Sequence, residues 1–245
     1  MASEFTPANS SETQELAELR LLHLADSALP IGSLAHSFGL ETLVSSQFLR
    51  AGDIPAFLHG YLEEAGLVDG VFCRAAFSLA APGAFSLEKW LDLNGGLSAR
   101  KPAREARSAS SVLGRNFLRA VAAVANHPLL REALDAAVNL SLDGTGSVHH
   151  ATAFGLAAGA LGFHEDRAVC AYLHQSVANL ISAFQRLLPL GHTDAMRILW
   201  NLKPAILSTA RRSVSCSLDD AGSFMPLLDW GAMEHPALST RLFIS

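Results

Sequence analysis

The chain has 245 residues, of which 50% are hydrophobic and 17% are charged, a composition typical of a globular protein and not of a disordered one. Its formal net charge of -5 gives no overall attraction to nucleic acid or to an anionic membrane, so neither is predicted as a partner. The three cysteines, Cys73, Cys170 and Cys216, lie far apart without a C-x-x-C spacing, which predicts buried free thiols and a reducing, cytoplasmic location.

The predicted elements begin with residues 1–13, which are polar and acidic and indicate a flexible N-terminal arm. Beyond the arm, alanine and leucine dominate, and β-branched residues rarely alternate with polar ones, which favours helix over strand. Apolar residues recur at steps of three and four in the segments 57–65, 72–79, 113–124 and 169–188. Each segment therefore has one apolar face. We predict an all-α fold, with a single helical-bundle domain over residues 14–212 and an irregular C-terminal tail over 213–245.

The stretch PIGSLAHSFGLE, residues 30–41, has two interpretations, of which the first is catalytic. The segment from Ala35 to Gly39 is similar to the G-x-S-x-G turn that presents a catalytic serine, which would make Ser37 the nucleophile of a small serine hydrolase. That turn follows a buried strand in such enzymes, whereas the residues before it here predict a helix. The sequence therefore favours the other interpretation.

The second interpretation of this stretch is structural. Pro30 ends the first helix, because proline disfavours helix in the residue before it. Gly32 allows the chain to reverse its direction, and Gly39 permits the close approach of a neighbouring segment. These properties predict a turn between two helices.

The sequence does not predict an enzyme or a tightly bound cofactor. Among the ten histidines, only His149 and His150 are close together, and adjacent helix residues point in different directions. No tight metal site is predicted within the chain, although histidines from several helices or from two copies could still bind a metal transiently. The sequence also lacks a P-loop, an acid–base pair and a nucleophile constellation.

Two further features predict contacts between helices or between proteins. Gly155 and Gly159 form a G-x-x-x-G spacing in the small-residue run 151–162, which permits close helix packing and, with the apolar excess, motivates a homodimer. Arginines also recur near one helix face, at Arg100, Arg104, Arg107, Arg115 and Arg119. Such a face is either solvated or a docking surface for an acidic protein partner.

Four segments resemble, in the same order, the UreF family of urease accessory proteins. Residues 21–41 resemble its first helix, its Leu-Pro-x-Gly turn and its Ser-x-Gly-Leu-Glu helix start. ARKPAREARS (99–108) resembles its arginine-rich helix, and PLGHTDAMRIL (189–199) resembles its Pro-Leu-Gly-Gln turn. MEHPALSTRLFIS (233–245) resembles its terminal segment. The likeness extends from about Leu16 to Ser245, and its two ends are the specific parts.

This resemblance implies an all-α homodimer that is not an enzyme and that acts in urease maturation. It implies binding to a UreD/UreH-type accessory protein, recruitment of a UreG-type GTPase, and action of the assembly on the urease apoprotein. Nickel would be handled by the assembled complex. The resemblance also assigns a structural role in the turn to five residues, Pro30, Gly32, Ser37, Gly39 and Glu41.

The tail carries the main partner-binding prediction. Its last residues are unusually apolar for a chain end, which indicates burial against a partner or against the domain's own core. The resemblance favours the partner, with contacts from Leu242, Phe243, His235 and Arg241, and from Arg100 and Arg104 in the arginine-rich segment. The sequence departs from the family pattern at His192, Pro236, Ser239 and Ile244, which bears on the strength of partner binding.

Overall fold

Helices form most of the backbone in the computed structural model, which describes residues 10–143 and 146–245, and no strand occurs in those ranges. The all-α prediction is confirmed. In the first half of the chain the helices are α1 (Ser10–Leu24), α2 (Leu40–Ser45), α3 (Ile54–Tyr61), α4 (Leu67–Leu79), α5 (Leu87–Ala99) and α6 (Arg104–Ala125). In the second half they are α7 (Pro128–Asp143), α8 (His150–Ala160), α9 (Glu165–Leu187), α10 (His192–Asn201), α11 (Lys203–Ser215) and α12 (Pro226–Glu234).

The predicted boundaries differ from the structure at both ends of the chain. The first helix ends at Leu24 and not at Pro30, because the Asp26 carboxylate accepts the N–H of Ala28 at 2.8 Å and closes a turn. Helix α1 includes residues 10–13 of the predicted arm, and the rest of that arm lies outside the described residues. In the tail, α11 continues to Ser215 and α12 follows, so the segment from residue 213 is more regular than predicted.

Helix α8 lies at the centre of the bundle. All of its residues from His150 to Ala158 are buried, as expected of a helix that is apolar on every side. Helices α4, α6, α7 and α9 pack around it. A five-residue π-helical stretch, Leu62–Gly66, joins α3 to α4, so the predicted segment 57–65 forms one continuous helical run.

The G-x-x-x-G spacing serves packing within the chain. A Cβ at Gly155 would overlap the carbonyl oxygen of Cys73, and one at Gly159 would lie 2.5 Å from the carbonyl oxygen of Phe77. Both oxygens belong to α4, so the two glycines bring α8 and α4 together. The small-residue run is therefore used inside the chain and gives no support to a dimer interface.

A buried arginine joins three helices on the other side of α4. The Arg74 guanidinium donates to Ser213 Oγ at 2.8 Å and to the Ala210 carbonyl oxygen at 2.8 Å, which ties α4 to α11. It also forms ion pairs with Glu165 at 3.3 Å and Asp166 at 2.6 Å at the start of α9. Because this charge is buried, loss of its partners would leave it uncompensated and would destabilise the contact between these helices.

Two expectations from composition can be compared with the structure. All three cysteines are free, but Cys73 alone is fully buried, while Cys170 and Cys216 are half-buried. Within the two described ranges, no helix is both long enough and apolar enough to cross a bilayer.

Two buried histidines should make the bundle sensitive to acid. Burial, aided by the Lys101 charge, lowers the pKa of His149 to about 3, and burial lowers the pKa of His150 to about 4. Both rings stay neutral in the folded state and take up protons on unfolding, so stability is lost as the pH falls below about 6.5. Between about pH 7.5 and 5.5 their joint contribution to the unfolding free energy should fall by about 3 kcal/mol.

Urea unfolding at several pH values checks this expectation. A His150→Phe variant keeps an aromatic ring beside Phe117 and Phe154 and should lose about half of this pH dependence. A His59→Gln change at an exposed position of α3 is the control and should leave it unaltered. If the unfolding free energy of His150→Phe depended on pH as steeply as that of the wild type, the low pKa of His150 would be contradicted.

Candidate partner-docking site

The stretch 30–41 forms the turn between α1 and α2, and two glycines determine its path. A Cβ added at Gly32 would meet no atom within 4 Å, so the φ angle of 89° alone requires glycine there. At Gly39 the φ angle is 94°, and a Cβ would also lie 2.6 Å from the Ala232 nitrogen and 2.8 Å from the Leu228 carbonyl oxygen. Helices α2 and α12 therefore touch at Gly39.

Ser37 is placed as a structural residue. Its side chain is fully buried, and its Oγ accepts the N–H of Glu41 at 3.4 Å. The neighbouring His36 uses Nδ1 to contact Ser245 Oγ at 2.7 Å instead of approaching Ser37. A nucleophile needs access to substrate and an adjacent base, so the geometry does not favour the hydrolase interpretation.

The Glu41 carboxylate holds the end of the tail. Its two oxygens accept the N–H of Leu242 at 2.5 Å and the N–H of Phe243 at 3.1 Å, and one of them also contacts His235 Nε2 at 2.9 Å. Burial by itself would raise the pKa of Glu41, but these hydrogen bonds outweigh it and lower the pKa. Glu41, predicted as part of a turn, is therefore a buried receptor for the tail.

His235 joins Glu41 to a second carboxylate. The fully buried imidazole contacts Glu105 Oε2 through Nδ1 at 2.8 Å, and Arg241 lies 4.0 Å from the other Glu105 oxygen. We call Glu41, Glu105 and His235 the tail clasp. It connects α2, α6 and the end of the chain.

Backbone contacts extend the tail along the turn. The N–H of Ile244 donates to the Ala35 carbonyl oxygen at 2.8 Å, and the N–H groups of Ser37 and Phe38 donate to the Ser245 backbone oxygen. These bonds run in both directions, as in strand pairing. These bonds hold the last residues against the stretch 30–41.

The structure places Phe243 and His235 against other parts of their own chain, and their predicted partner-binding roles stay predictions. The Phe243 side chain is only 5% exposed, and the Arg186 guanidinium lies 4.2 Å from its ring centre. Phe243 and His235 are therefore engaged by their own chain, and the tail seals part of the core. Leu242 is 53% exposed and Arg241 also lies at the surface, so their partner-binding roles stay predictions.

The structure also changes the interpretation of Arg100. Its guanidinium donates to three backbone carbonyl oxygens, those of Ala221 at 2.5 Å, Leu218 at 2.5 Å and Gly96 at 3.0 Å. It thus holds the loop before α12, and its predicted partner-binding role stays a prediction. Arg104 is exposed, and its partner-binding role stays a prediction.

The departures from the family pattern lie at the surface. His192 begins α10 and contacts Gln185 at 3.2 Å on an exposed face. Pro236, Ser239 and Ile244 have exposed side chains. None of these four side chains takes part in the tail clasp.

An exposed apolar surface on α12 was missed from the sequence. The Trp230 ring packs edge-on against Phe48, with centres 5.3 Å apart, yet Trp230 stays 38% exposed. Leu227 and Met233 are also exposed on this helix. We call Phe48, Leu227, Trp230 and Met233 the α12 patch. The three-residue spacing along α12 is a signal in the sequence, which the prediction of an irregular tail obscured.

Helix α12 also covers a small cavity of about 110 Å³, which is lined by both apolar and polar side chains. Inside it, the Asp69 carboxylate accepts from Lys101 at 2.9 Å and from the Tyr172 hydroxyl at 3.0 Å. His150 Nε2 and Asn179 Oδ1 line this cavity without a hydrogen-bond partner. Elsewhere too, the part of the chain that the structure describes holds no group of three or more potential metal ligands.

Comparisons with known proteins identify the family of this chain. A family model described as UreF matches residues 50–203. The chain belongs to the UreF family. It is 33% identical to a urease accessory protein UreF of Bradyrhizobium sp. strain BTAi1, over 97% of this chain and 96% of that protein. It is 34% identical to the Corynebacterium glutamicum (strain R) protein of the same name, over 94% of this chain and 98% of that protein.

Proposed function

We propose that this UreF-family chain is a non-enzymatic scaffold of urease maturation. It binds a UreD/UreH-type accessory protein, recruits a UreG-type GTPase and acts with them on the urease apoprotein in the cytoplasm. Nickel is handled by the assembled complex, and this chain binds none tightly. Family membership supports the accessory role, and the α12 patch is the observation that supports a protein-docking role for the tail region.

The α12 patch has the properties of a docking surface. It presents an aromatic residue, Trp230, that is enriched among the residues that dominate binding energy at interfaces. The helix that carries it is fixed on its other face, where Gly39 contacts Ala232 and Leu228. A patch on a rigid element loses little conformational entropy on binding. We therefore propose that the UreD/UreH-type protein docks on the α12 patch, with Leu242, Arg241 and Arg104 as further contacts.

A second apolar surface supports the proposal of a homodimer. Leu16, Leu19 and Leu22 are exposed along α1. Leu22 borders an open groove of about 570 Å³ between α1, α9 and α11. Trp200, which is 69% exposed, lies next to this groove, with its ring 5.4 Å from Lys203 Nζ. Two copies that each offer leucines and a groove can form a self-complementary contact.

Co-expression with the cognate UreD/UreH-type protein, followed by co-purification and sizing, tests both proposals. The wild-type chain should be captured as part of a complex. Trp230→Ala should weaken capture by about tenfold or more, because it removes the centre of the α12 patch. Trp200→Ala is the matched control, since it removes an exposed tryptophan elsewhere, and it should weaken the homodimer while leaving capture intact.

Three outcomes would contradict the proposals. Absence of capture by the wild-type chain would overturn the scaffold role. Full capture by Trp230→Ala would place the docking surface elsewhere, and a wild-type chain that stays monomeric at micromolar concentration would overturn the homodimer.

A further inference from the structure

The tail clasp contains a buried histidine between two carboxylates. Both ring nitrogens of His235 face a carboxylate oxygen, Nδ1 towards Glu105 at 2.8 Å and Nε2 towards Glu41 at 2.9 Å. A neutral imidazole has one N–H and one lone pair, so it can donate to only one of these oxygens. The lone pair would then face the second oxygen at hydrogen-bond distance, which is repulsive. The geometry therefore fits a ring that carries both protons.

We propose that the tail clasp is a charge-dependent latch, in which segment 241–245 stays docked while His235 is an imidazolium and is released when the ring loses a proton as the pH rises. The functional consequence of this latch rests on the proposed function, because segment 241–245 adjoins the surface assigned to the UreD/UreH-type protein. It concerns the regulation of that surface and names no new partner.

The other charged groups around the ring do not replace its charge. Arg241 reaches Glu105 only at 4.0 Å, and Arg186 is directed to the carbonyl oxygens of Leu34 and Leu242. Burial lowers the pKa of His36, although the Glu105 charge opposes the effect. Burial therefore favours the neutral form of His36. His235 alone among these groups contacts both carboxylates directly.

The charge of His235 is linked to the tail through Glu41. One Glu41 oxygen accepts from both His235 Nε2 and the Phe243 N–H, and the other accepts from the Leu242 N–H. If the ring loses the proton on Nε2, the Glu41 carboxylate faces the lone pair and must turn away. Rotation of Glu41 removes the acceptor of both tail amides, and an unpaired buried N–H is unfavourable. Loss of one proton therefore opens the whole segment.

Nuclear magnetic resonance of the ring nitrogens in the full chain tests the charge state. A solvent-exposed histidine is neutral at about pH 7.5, and a histidine-containing peptide measured at the same pH provides the reference. We expect the two nitrogen shifts of His235 at this pH to be those of an imidazolium. A neutral tautomer of His235 at about pH 7.5 would overturn the proposal.

Hydrogen exchange in the same sample tests the link to the tail. Between the pH at which the His235 ring loses its proton in the opened state and the higher pH at which it does so in the docked state, protection of the Leu242 and Phe243 amides should fall by about tenfold per pH unit after correction for the intrinsic exchange rate, and it should level off above that range. Glu105→Gln removes one of the two anions and should move both transitions to lower pH. Glu132→Gln, an exposed change on α7, is the control and should move neither.

Two results would show that the charge of the His235 ring does not control docking of the tail, and either would refute the latch. One is tail protection that stays constant while the ring titrates, and the other is a Glu105→Gln variant in which neither transition moves. Neither measurement uses a partner protein. Failure here therefore leaves the capture experiment with Trp230→Ala unaffected, and failure of capture leaves the latch intact.

Discussion

A Gly155→Ala variant should lose about 3 kcal/mol or more of unfolding free energy, because overpacking a tight core position displaces the backbone. The added Cβ would overlap the Cys73 carbonyl oxygen, so α8 and α4 must move apart. This contact lies at the centre of the bundle, where nearly every α8 residue is buried. Urea unfolding followed by circular dichroism measures the loss.

Gly60→Ala is the matched control for this expectation. Gly60 lies in α3, and no atom comes within 4 Å of its added Cβ. Alanine is a better helix former than glycine, so this variant should gain up to about 1 kcal/mol. If the two variants had the same stability, the close contact between α4 and α8 would not be a determinant of the fold.

A Phe243→Ala variant should release the tail, whereas Leu242→Ala should not. Removing a buried phenylalanine side chain costs about 3–5 kcal/mol when the site cannot collapse. The tail can open locally while the rest of the chain stays folded. The loss of unfolding free energy in Phe243→Ala should therefore not exceed the free energy of docking the tail. Leu242→Ala changes an exposed side chain and should alter stability by no more than about 0.5 kcal/mol. It should, however, weaken partner capture.

Limited trypsin digestion after Arg241 and thermal unfolding distinguish these two variants. Phe243→Ala should be cleaved faster and should melt at a lower temperature than the wild type. Leu242→Ala should match the wild type in both measurements. Equal effects from the two substitutions would contradict the assignment of Phe243 to the core and Leu242 to the surface.

The helices could be predicted from sequence because their determinants are local. The segment 169–188 has a regular apolar stripe, and it lies almost entirely within α9, Glu165–Leu187. The partner of the G-x-x-x-G spacing could not be identified in the same way. Small residues permit close packing with any helix, and only the folded chain shows that the Cys73 carbonyl oxygen fills that space.

The docking of the tail could not be predicted, because its contacts join distant parts of the chain. Glu41 and Leu242 are 201 residues apart, and no periodic pattern relates them. The resemblance marked both ends as specific but assigned Phe243 and His235 to a partner. The contacts of Arg100 could not be predicted for a similar reason, since an arginine that binds backbone carbonyl oxygens leaves no pattern in the sequence.

The tail clasp also affects the order of events during synthesis. The individual helices depend on contacts that are local in the sequence and can form while the chain is still being made. The clasp must wait until residues 235–245 have been made, because His235 and the Leu242 and Phe243 amides come from that segment. Until then Glu41 has its carboxylate open to water or to another chain. Nascent and prematurely terminated chains would therefore share one property, an unfilled receptor that a quality-control factor could recognise.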